Sequence, residues 1–254
     1  MRGSLLVAPL LLALVASTQA EWKVVSAESE PGRAGIEHRH IVVENTAADR
    51  RADLDLAVFS IKSCALRVID NPDGQTLAGV LKRENCACGV NGGYFDPNFE
   101  PIGLRIVNEQ MIAPLRRARL ITGVLIASPA GVQIVRSREF SRPQQIAAAI
   151  QCGPFLVDAS QRVRGLNNSQ RARRTFAATA THEHALLGVS SAVSLSDLAQ
   201  ILATTPIDPN SKITRALNLD GGSSSAFWFL REDGSAFSSP GQKPVRDFVA
   251  VVPR

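Results

Sequence analysis

An aspartate followed by glycines and serines is the feature of this 254-residue chain best suited to chemistry. An apolar run ending at Leu219 leads to Asp220 and the small-residue turn Gly221-Gly222-Ser223. With no bulky neighbour, the carboxylate is accessible at a strand end, as a catalytic or ligand-orienting acid requires. The segment lacks the Gly-Lys-Ser/Thr element of a P-loop and the G-x-S-x-G frame of a nucleophile elbow. A simple hairpin is the alternative interpretation.

A second segment, Asn91-Gly92-Gly93-Tyr94, combines an amide side chain, two glycines and the only tyrosine of the chain. Adjacent glycines let backbone amides approach a ligand closely. An aromatic ring beside a polar amide suits a sugar, which has apolar C–H faces and hydroxyl edges. Asp96 follows as a candidate second carboxylate. The alternative is a tight turn with a structural Asp-Pro pair.

The third segment is a basic run, Arg171-Ala172-Arg173-Arg174-Thr175, directly before a predicted strand. A guanidinium is permanently charged and binds carboxylate or phosphate oxygens in a forked geometry. Arg174, assisted by Thr175, is therefore a candidate for holding an anionic group. A solvated basic loop is the alternative, because such runs commonly have that meaning.

The four histidines indicate neither a catalytic triad nor a clear metal site. His182 and His184 stand at a predicted hairpin turn, while His38 and His40 alternate near the first predicted strand. Alternate residues on a strand share a face, but no third ligand cluster lies nearby in sequence. No cofactor is expected, although carboxylates and carbonyls leave room for a divalent ion such as calcium.

Residues 1–20 have the layout of a cleaved secretory signal. Arg2 gives a positive start, Leu5 to Val15 is an unbroken apolar run, and Ala20 is a small residue at the expected cleavage point. The run is too short for a stable membrane span. We therefore expect a secreted or periplasmic protein with no integral membrane segment after cleavage. An uncut N-terminal anchor is the alternative.

The cysteines of an exported chain are expected to form disulfides when their number is even. There are four: Cys64, Cys86, Cys88 and Cys152. Cys86 and Cys88 should point the same way and bond poorly to each other, so we expect one of them to pair with Cys64 or Cys152. A zinc site and a thiol nucleophile are the weaker alternatives.

Composition excludes several protein classes. With 45% hydrophobic and 20% charged residues the chain is not disordered, and 18 glycines with 14 prolines are too few for a collagen. The net charge of +5 is spread along the chain apart from the run at 171–174. No zinc-ligand spacing or recognition-helix pattern accompanies it, so no nucleic-acid partner is expected. The excess fits a small anionic substrate or an anionic cell surface. The oligomeric state stays open.

Short alternating segments with turns between them predict the elements that position these residues. The predicted strands are His40–Val43, Asp53–Phe59, Val124–Ala127, Val132–Val135, Thr175–Thr181, Ala185–Ser190 and Val245–Val252, and the predicted helices are Thr76–Arg83, Arg142–Ile150 and one capped by Ser194. Strands outnumber helices and no regular βαβ alternation occurs. We predict an α+β fold: a single domain at 38–254 with a mixed, largely antiparallel sheet and a few helices, preceded by an N-terminal arm at 21–37.

Taken together, these segments resemble the phosphodiester glycosidase family. That family includes the catalytic domain of the lysosomal enzyme that uncovers mannose 6-phosphate, and exported bacterial proteins related to exopolysaccharides. The matching elements are Val90-Asn91-Gly92-Gly93-Tyr94-Phe95-Asp96, Pro101-Ile102-Gly103-Leu104, Cys152-Gly153-Pro154-Phe155-Leu156-Val157, Arg174-Thr175 and Leu217-Asn218-Leu219-Asp220-Gly221-Gly222-Ser223-Ser224. Their order and spacing span about residues 60–254.

The resemblance implies hydrolysis of a sugar linked through its anomeric carbon to a phosphodiester. A phosphate diester leaves readily, so the site needs a cation to hold it and a carboxylate to stabilise an oxocarbenium-like centre or activate water. Arg174 would hold the phosphate and Asp220 would be base, nucleophile or electrostatic stabiliser. The other residues implied are Asn91 in the catalytic set, and Gly92, Gly93, Tyr94, Asp96, Thr175, Gly221, Gly222 and Ser223 in substrate binding.

Two other functions stay open at this point. The chain could be a non-catalytic glycan-binding protein of the cell envelope or exopolysaccharide pathway that keeps the same pocket. It could also be an enzyme of exopolysaccharide modification that acts on a bond other than a phosphodiester.

Overall fold

The computed structural model describes residues 21–141 and 145–254, which form eighteen strands and two α-helices. The strands are β1 (Lys23–Pro31), β2 (Glu37–Asn45), β3 (Arg50–Ser60), β4 (Cys64–Asp70), β5 (Cys88–Asn91), β6 (Arg105–Val107), β7 (Gln110–Ala113), β8 (Gly123–Ser128) and β9 (Gly131–Arg136). They continue with β10 (Ala148–Cys152), β11 (Phe155–Asp158), β12 (Gln161–Arg162), β13 (Ala172–Ala180), β14 (His184–Val193), β15 (Ile213–Asn218), β16 (Phe227–Leu230), β17 (Ala236–Ser239) and β18 (Asp247–Pro253). The helices are α1 (Leu77–Arg83) and α2 (Leu195–Thr204).

These strands form three sheets. The first has eight strands in the order β1-β2-β3-β14-β13-β15-β11-β12, the second has five in the order β7-β6-β10-β8-β9, and the third has five in the order β17-β16-β5-β18-β4. Every strand pair of the described residues is antiparallel. The prediction of largely antiparallel strands and a few helices is confirmed, the mixed character of the sheet is not, and the fold is mostly β with two helices.

The three sheets pack around one central core to which all of them contribute. Alternate residues of a strand face opposite sides. In β3, Ala57 and Phe59 enter the central core, whereas Leu54, Leu56 and Val58 lie in a second cluster with residues of α2. The two-residue period predicted for this strand is confirmed.

Both helices cover outer faces of sheets and begin at side-chain caps. The hydroxyl of Thr76 accepts a hydrogen bond from the amide of Gly79 at α1, and Ser194 accepts one from Asp197 at α2. Such caps satisfy amides that have no partner within the helix. Both helices were predicted from the sequence and are confirmed, as is the β8–β9 hairpin.

Residues 21–37 do not form a loosely held arm. Lys23–Pro31 is β1, which pairs with β2 from Lys23 to Pro31, and Trp22 is only 2% exposed. An extended segment that pairs along its length is part of the first sheet, as its edge strand, and Trp22 before it is packed in the core. The first sheet therefore begins before the domain boundary expected at residue 38.

The helix predicted for residues 142–150 is wrong where the structure describes it, because Ala148–Cys152 is β10. This strand lies in the middle of the second sheet and is buried along its whole length. A strand covered on both faces reads as a continuous apolar run, which periodicity alone does not distinguish from a helix. Residues 142–144 and the predicted signal at 1–20 lie outside the described residues. Within the described part, no helix is long and apolar enough to cross a membrane.

The four cysteines are buried free thiols, so the structure does not confirm the predicted disulfide. Cys86 and Cys88 do not share a cluster either: Cys88 lies in the central core and Cys86 packs beside α1. Burial raises the pKa of Cys86 to about 11 and that of Cys152 to about 12. Thiols with raised pKa values are poor nucleophiles at neutral pH.

A histidine held by two carboxylates joins the first and third sheets. Nδ1 of His38 lies 3.2 Å from Glu30, and Nε2 lies 3.1 Å from Asp55. The ring also contacts three phenylalanines of β16 and β17, and the nearest is Phe237, at 4.5 Å between ring centroids. Arg231 and His38 lower the pKa of Glu30. Burial would raise the pKa of Asp55, but its hydrogen bonds to His38 and His40 lower it.

We expect His38→Gln to reduce stability near neutral pH and to flatten its acid dependence. A carboxylate with a lowered folded-state pKa contributes stability that is present above its ordinary value, 4.5 for Glu30 and 3.8 for Asp55, and is lost as the pH falls through the folded value. Urea unfolding at about pH 6 and about pH 3 measures this difference. His182→Gln, at an exposed turn, is the control. Equal acid dependence in wild type and His38→Gln would contradict the expectation.

Candidate active site

Asp220 and Arg174 come together where two neighbouring strands of the first sheet end. β13 pairs with β15 so that Phe176 lies opposite Asn218, and the amide of Leu219 donates to the carbonyl of Thr175 at 2.8 Å. Gly221 then packs against the arginine, because a Cβ placed there would lie 3.8 Å from Cδ of Arg174. Strand register thus brings the backbone that carries Asp220 next to the aliphatic part of the Arg174 side chain.

Asp220 is a partly buried carboxylate whose pKa is perturbed. The amide of Gly221 donates to its Oδ1 at 3.0 Å. Burial raises its pKa above the ordinary 3.8, while Ser224 and Lys243 act in the opposite direction. Although Ser224 interacts with Asp220, its buried Oγ makes no hydrogen bond of ordinary geometry within the described chain. A carboxylate held in a poorly solvated place interacts strongly with any positive charge that develops beside it.

Arg174 is anchored by backbone carbonyls and keeps donors unused. Its Nε donates to the carbonyl of Val193 at 3.1 Å, and Nη2 donates to that of Gln170 at 2.8 Å. Its pKa is lowered by burial, with Tyr94 acting against that shift, and no carboxylate of the described residues forms a salt bridge with it. Of its five N–H groups, three therefore have no acceptor among the described residues.

Tyr94 lies beside both charged residues. Its hydroxyl donates to the carbonyl of Gly153 at 2.7 Å and accepts from Nδ2 of Asn218 at 3.1 Å. Burial raises the pKa of Tyr94 well above its ordinary 10, and the charges of Asp220 and Arg174 also act on it. The phenol therefore stays neutral, and its half-buried ring forms part of the wall of the site.

Asn91 and Thr175 are buried supports rather than exposed ligands. Asn91 is fully buried: Nδ2 donates to the carbonyl of Asp220 at 2.7 Å, and Oδ1 accepts from Thr175 at 2.7 Å and from the amide of Ala226 at 3.0 Å. Thr175 is also fully buried. Because these groups bond to each other and to the backbone of Asp220, they fix the position of the carboxylate and do not face a ligand.

Gly92 and Gly93 make room for a buried ion pair. Nε of Arg105 donates to Oδ2 of Asp247 at 2.7 Å, with both side chains at 1% exposure or less. The amide of Gly93 donates to Oδ1 of Asp247, and that of Gly92 to its carbonyl. A Cβ on Gly92 would lie 1.9 Å from Asp247, and one on Gly93 would lie 1.9 Å from Nη2 of Arg105. The two amides are thus occupied within the protein, and the glycines are required by this close approach.

The remaining predicted residues separate into two groups. Asp96 accepts hydrogen bonds from the amides of Asn98 and Glu100, so it organises its own turn and is not a second carboxylate beside Asp220. Gly222 has a φ of +65°, which glycine adopts without strain, and opens the short 3₁₀ turn Gly222–Ser224. The first two amides of such a turn, those of Gly222 and Ser223, have no acceptor within it. They remain open to a ligand.

A cleft of about 280 Å³ lies beside the turn Gly222–Ser224, and its lining includes Ser224 but not Asp220, Arg174 or Tyr94. The loop 240–244 forms one side of it, through Gly241, Gln242 and Lys243, and Ser224 with α1 forms the other. Nζ of Lys243 lies 5.2 Å from the centroid of Phe95. Polar groups converging on a small concave space are typical of a ligand site.

Sequence reasoning missed Asn218, Lys243, Arg105 and Asp247. Asn218 carried a signal, since it lies two residues before Asp220 and buries a polar side chain, with Oδ1 unpartnered in the described chain. The other three reach the site from distant parts of the chain and carry no local pattern. Among the described residues, no group of three or more His, Cys, Asp and Glu side chains could hold a metal ion.

A family model and several solved structures match this chain. The model of the phosphodiester glycosidase family matches residues 84–252. The catalytic domain of zebrafish N-acetylglucosamine-1-phosphodiester α-N-acetylglucosaminidase, auto-inhibited by its pro-peptide, superposes with a TM-score of 0.61 at 13% identity, over 94% of this chain and 85% of that chain. No curated protein sequence matches.

Two bacterial structures are similar to the chain to the same degree. A hypothetical protein from Synechocystis has a TM-score of 0.59 at 15% identity, over 92% of this chain and 68% of its own. A protein of Burkholderia pseudomallei described as exported has a TM-score of 0.59 at 13% identity, over 81% and 75%. At such identities these likenesses show a shared fold.

We expect Asp220→Asn to stabilise the protein near neutral pH. A carboxyl whose pKa is raised by burial destabilises the folded state above its ordinary value of 3.8, and a neutral amide removes that effect while its oxygen still accepts from Gly221. The gain should be present at about pH 7 and absent at about pH 3, measured by urea unfolding. A variant less stable than wild type at neutral pH would contradict it.

We expect Asp247→Ala to destabilise the fold by about 3–5 kcal/mol, because it leaves Arg105 buried without its partner. Glu44→Ala removes the partner of Arg51 in an exposed ion pair and should cost at most about 1 kcal/mol. Denaturant unfolding of both variants makes the comparison. Similar losses of unfolding free energy in the two variants would show that burial of the Arg105 pair does not determine the size of the effect.

Proposed function

Because the chain belongs to the phosphodiester glycosidase family, we propose that it hydrolyses the bond between a sugar's anomeric carbon and a phosphodiester. The observation that carries the proposal is the placement of Arg174 and Asp220 at the adjoining ends of β13 and β15. The cation has unused donors that suit the anionic phosphate side of the bond. The poorly solvated carboxylate suits the sugar side, which becomes cationic as the bond breaks.

Arg174 would bind the phosphodiester. Its two anchoring hydrogen bonds to carbonyls hold the guanidinium in place, so little side-chain entropy is lost when an anion binds. Its remaining N–H groups form a fork that matches two phosphate oxygens. The first amides of the Gly222–Ser224 turn, which follows Asp220 in the chain, would add further donors.

Asp220 would act at the anomeric carbon. As the C–O bond to phosphate breaks, positive charge develops on the sugar, and the carboxylate stabilises it, attacks it or activates water toward it. Asn91 fixes the backbone of Asp220 and Gly221 fixes its Oδ1, so the carboxylate is oriented before substrate binds. Tyr94 would lie against an apolar face of the sugar.

The site fits this substrate class because neither Asp96 nor Asp247 is free to act as a second acid beside Asp220. Most glycosidases use one carboxyl group to protonate the leaving group and another at the anomeric carbon. A phosphodiester leaves without protonation, which makes the acid unnecessary. Asp96 is engaged in its own turn, and Asp247 is held by Arg105.

We further propose that the protein is exported and acts on a glycan outside the cytoplasm. The signal-like layout of residues 1–20 supports this, and so does the similarity in fold to a bacterial protein described as exported. No cofactor is part of this proposal, and the divalent ion for which the sequence left room, such as calcium, is not part of it either.

Hydrolysis of a sugar-1-phosphodiester should fall by at least about a hundredfold in Arg174→Ala and in Asp220→Asn, because each removes a group that acts on charge in the transition state. Arg171→Ala is the matched control from the same basic run; its guanidinium donates to the carbonyl of Ala192 and lies 3.8 Å from Asp197, so a carboxylate already pairs with it. The assay measures released sugar and released phosphomonoester by mass spectrometry.

Circular dichroism should be the same in all three variants. Activity close to wild type in Asp220→Asn would remove that residue from the mechanism. Tight binding of the substrate with no product after long incubation would favour the non-catalytic glycan-binding alternative. Release of sugar from glycans without phosphate would favour a different bond.

A further inference from the structure

A second cleft, of about 640 Å³, lies on the second sheet and has more than twice the volume of the cleft beside Asp220. Four arginines line it: Arg116, Arg117, Arg136 and Arg138. We propose that this cleft binds a linear anionic glycan, as an extended subsite for substrates longer than one sugar phosphodiester. The inference rests on the proposed function in taking the ligand to be a glycan.

The rim of this arginine cleft is built by one buried side chain. Gln151 is fully buried; its Oε1 accepts from the amide of Arg116 at 3.0 Å, and its Nε2 donates to the carbonyls of Arg116 at 2.6 Å and Ile121 at 3.1 Å. Gln151 thereby holds both ends of the segment 116–121 against β10. A basic segment fixed in this way presents its side chains at defined positions.

The charge of the arginine cleft is only partly neutralised. Arg136 is bound to Asp158 at 2.7 Å and stacks on Phe155, so it belongs to the wall. Arg138 is 81% exposed and lies 3.9 Å from Glu139. Arg116 and Arg117 are exposed and have no salt bridge within the described residues. The cleft therefore keeps an excess of positive charge facing solvent.

The arginine cleft adjoins the candidate active site through Gly153. A Cβ on Gly153 would lie 2.2 Å from the carbonyl oxygen of Leu120, at the end of the arginine segment. The carbonyl of the same glycine accepts hydrogen bonds from Tyr94 and Asn218 in the candidate active site. One strand connection thus separates the arginine cleft from the Tyr94 wall.

The shape of the arginine cleft favours a glycan chain over other anionic partners. A bilayer is too flat to enter a concave space, whereas an extended polymer fits it. Among the described lining residues, Phe140 is the only aromatic ring, while single-stranded nucleic-acid sites stack successive bases on several rings. Leu115 is 38% exposed and lines the cleft, which suits the apolar C–H faces of a sugar.

The test measures binding of fluorescein-labelled polygalacturonate, a linear acidic polysaccharide, to the full chain by fluorescence anisotropy. Arg116→Ala/Arg117→Ala should weaken binding about tenfold and make it less sensitive to salt, because two contacts to anionic groups are lost. The control Arg33→Ala/Arg164→Ala removes the same charge from two exposed arginines outside the cleft and should change affinity by less than about twofold.

Three results would overturn the inference: equal weakening in the two double variants, equal binding of neutral dextran, or arginine-dependent binding of anionic lipid vesicles or single-stranded DNA without binding of polygalacturonate. The proposed function is measured separately, by hydrolysis of a small sugar-1-phosphodiester, which Arg116→Ala/Arg117→Ala should leave unchanged. Arginine-dependent binding of polygalacturonate in a protein with no hydrolysis would support the cleft and count only against the proposed activity.

Discussion

The buried ion pair between Arg105 and Asp247 is the constraint on which the candidate site depends. It joins β6 of the second sheet to β18 of the third, and both charges are shielded from water. Two such charges are tolerated only when their remaining hydrogen-bonding groups are satisfied. The carbonyls of Tyr94, Leu104 and Gln151 accept from the guanidinium, and the amide of Gly93 donates to the carboxylate. These bonds fix the chain that carries Tyr94.

The site is assembled from the ends of strands in more than one sheet, and most of its polar groups serve position rather than chemistry. Asn91 at the end of β5 holds the backbone of Asp220, and the amide of Asp220 in turn donates to the carbonyl of Gly92. Asn218 links the same segment to Tyr94. Surrounded by this rigid frame, Asp220 and Arg174 are kept in a poorly solvated environment that shifts both pKa values against their charged forms. Charged side chains are expected in such unfavourable surroundings where catalysis, rather than stability, determines the residue type.

Structural features that depend on neighbouring residues could be predicted from the sequence. Features that depend on contacts between distant parts of the chain could not. Alternation located β3, and a capping serine located α2, because both signals are local. Asp220 and Arg174 were recognised by residue type, and strand register brought them together. Gly92 and Gly93 were assigned to ligand binding, whereas Gly92 leaves room for Asp247, more than 150 positions away, and Gly93 leaves room for Arg105. Likewise, the alanine-rich run of β10 is helical by propensity and becomes a strand because both faces are covered.

The position of β18 has a consequence for how the molecule is made. Although it is the last strand in the described chain, it lies inside the third sheet, between β5 and β4. During synthesis those two strands emerge from the ribosome long before the segment that must separate them. A nascent chain without it exposes two unpaired strand edges and has no counter-ion for Arg105. Folding of this region is therefore completed late, and its strand edges are the ones that chaperones would have to shield for the longest time.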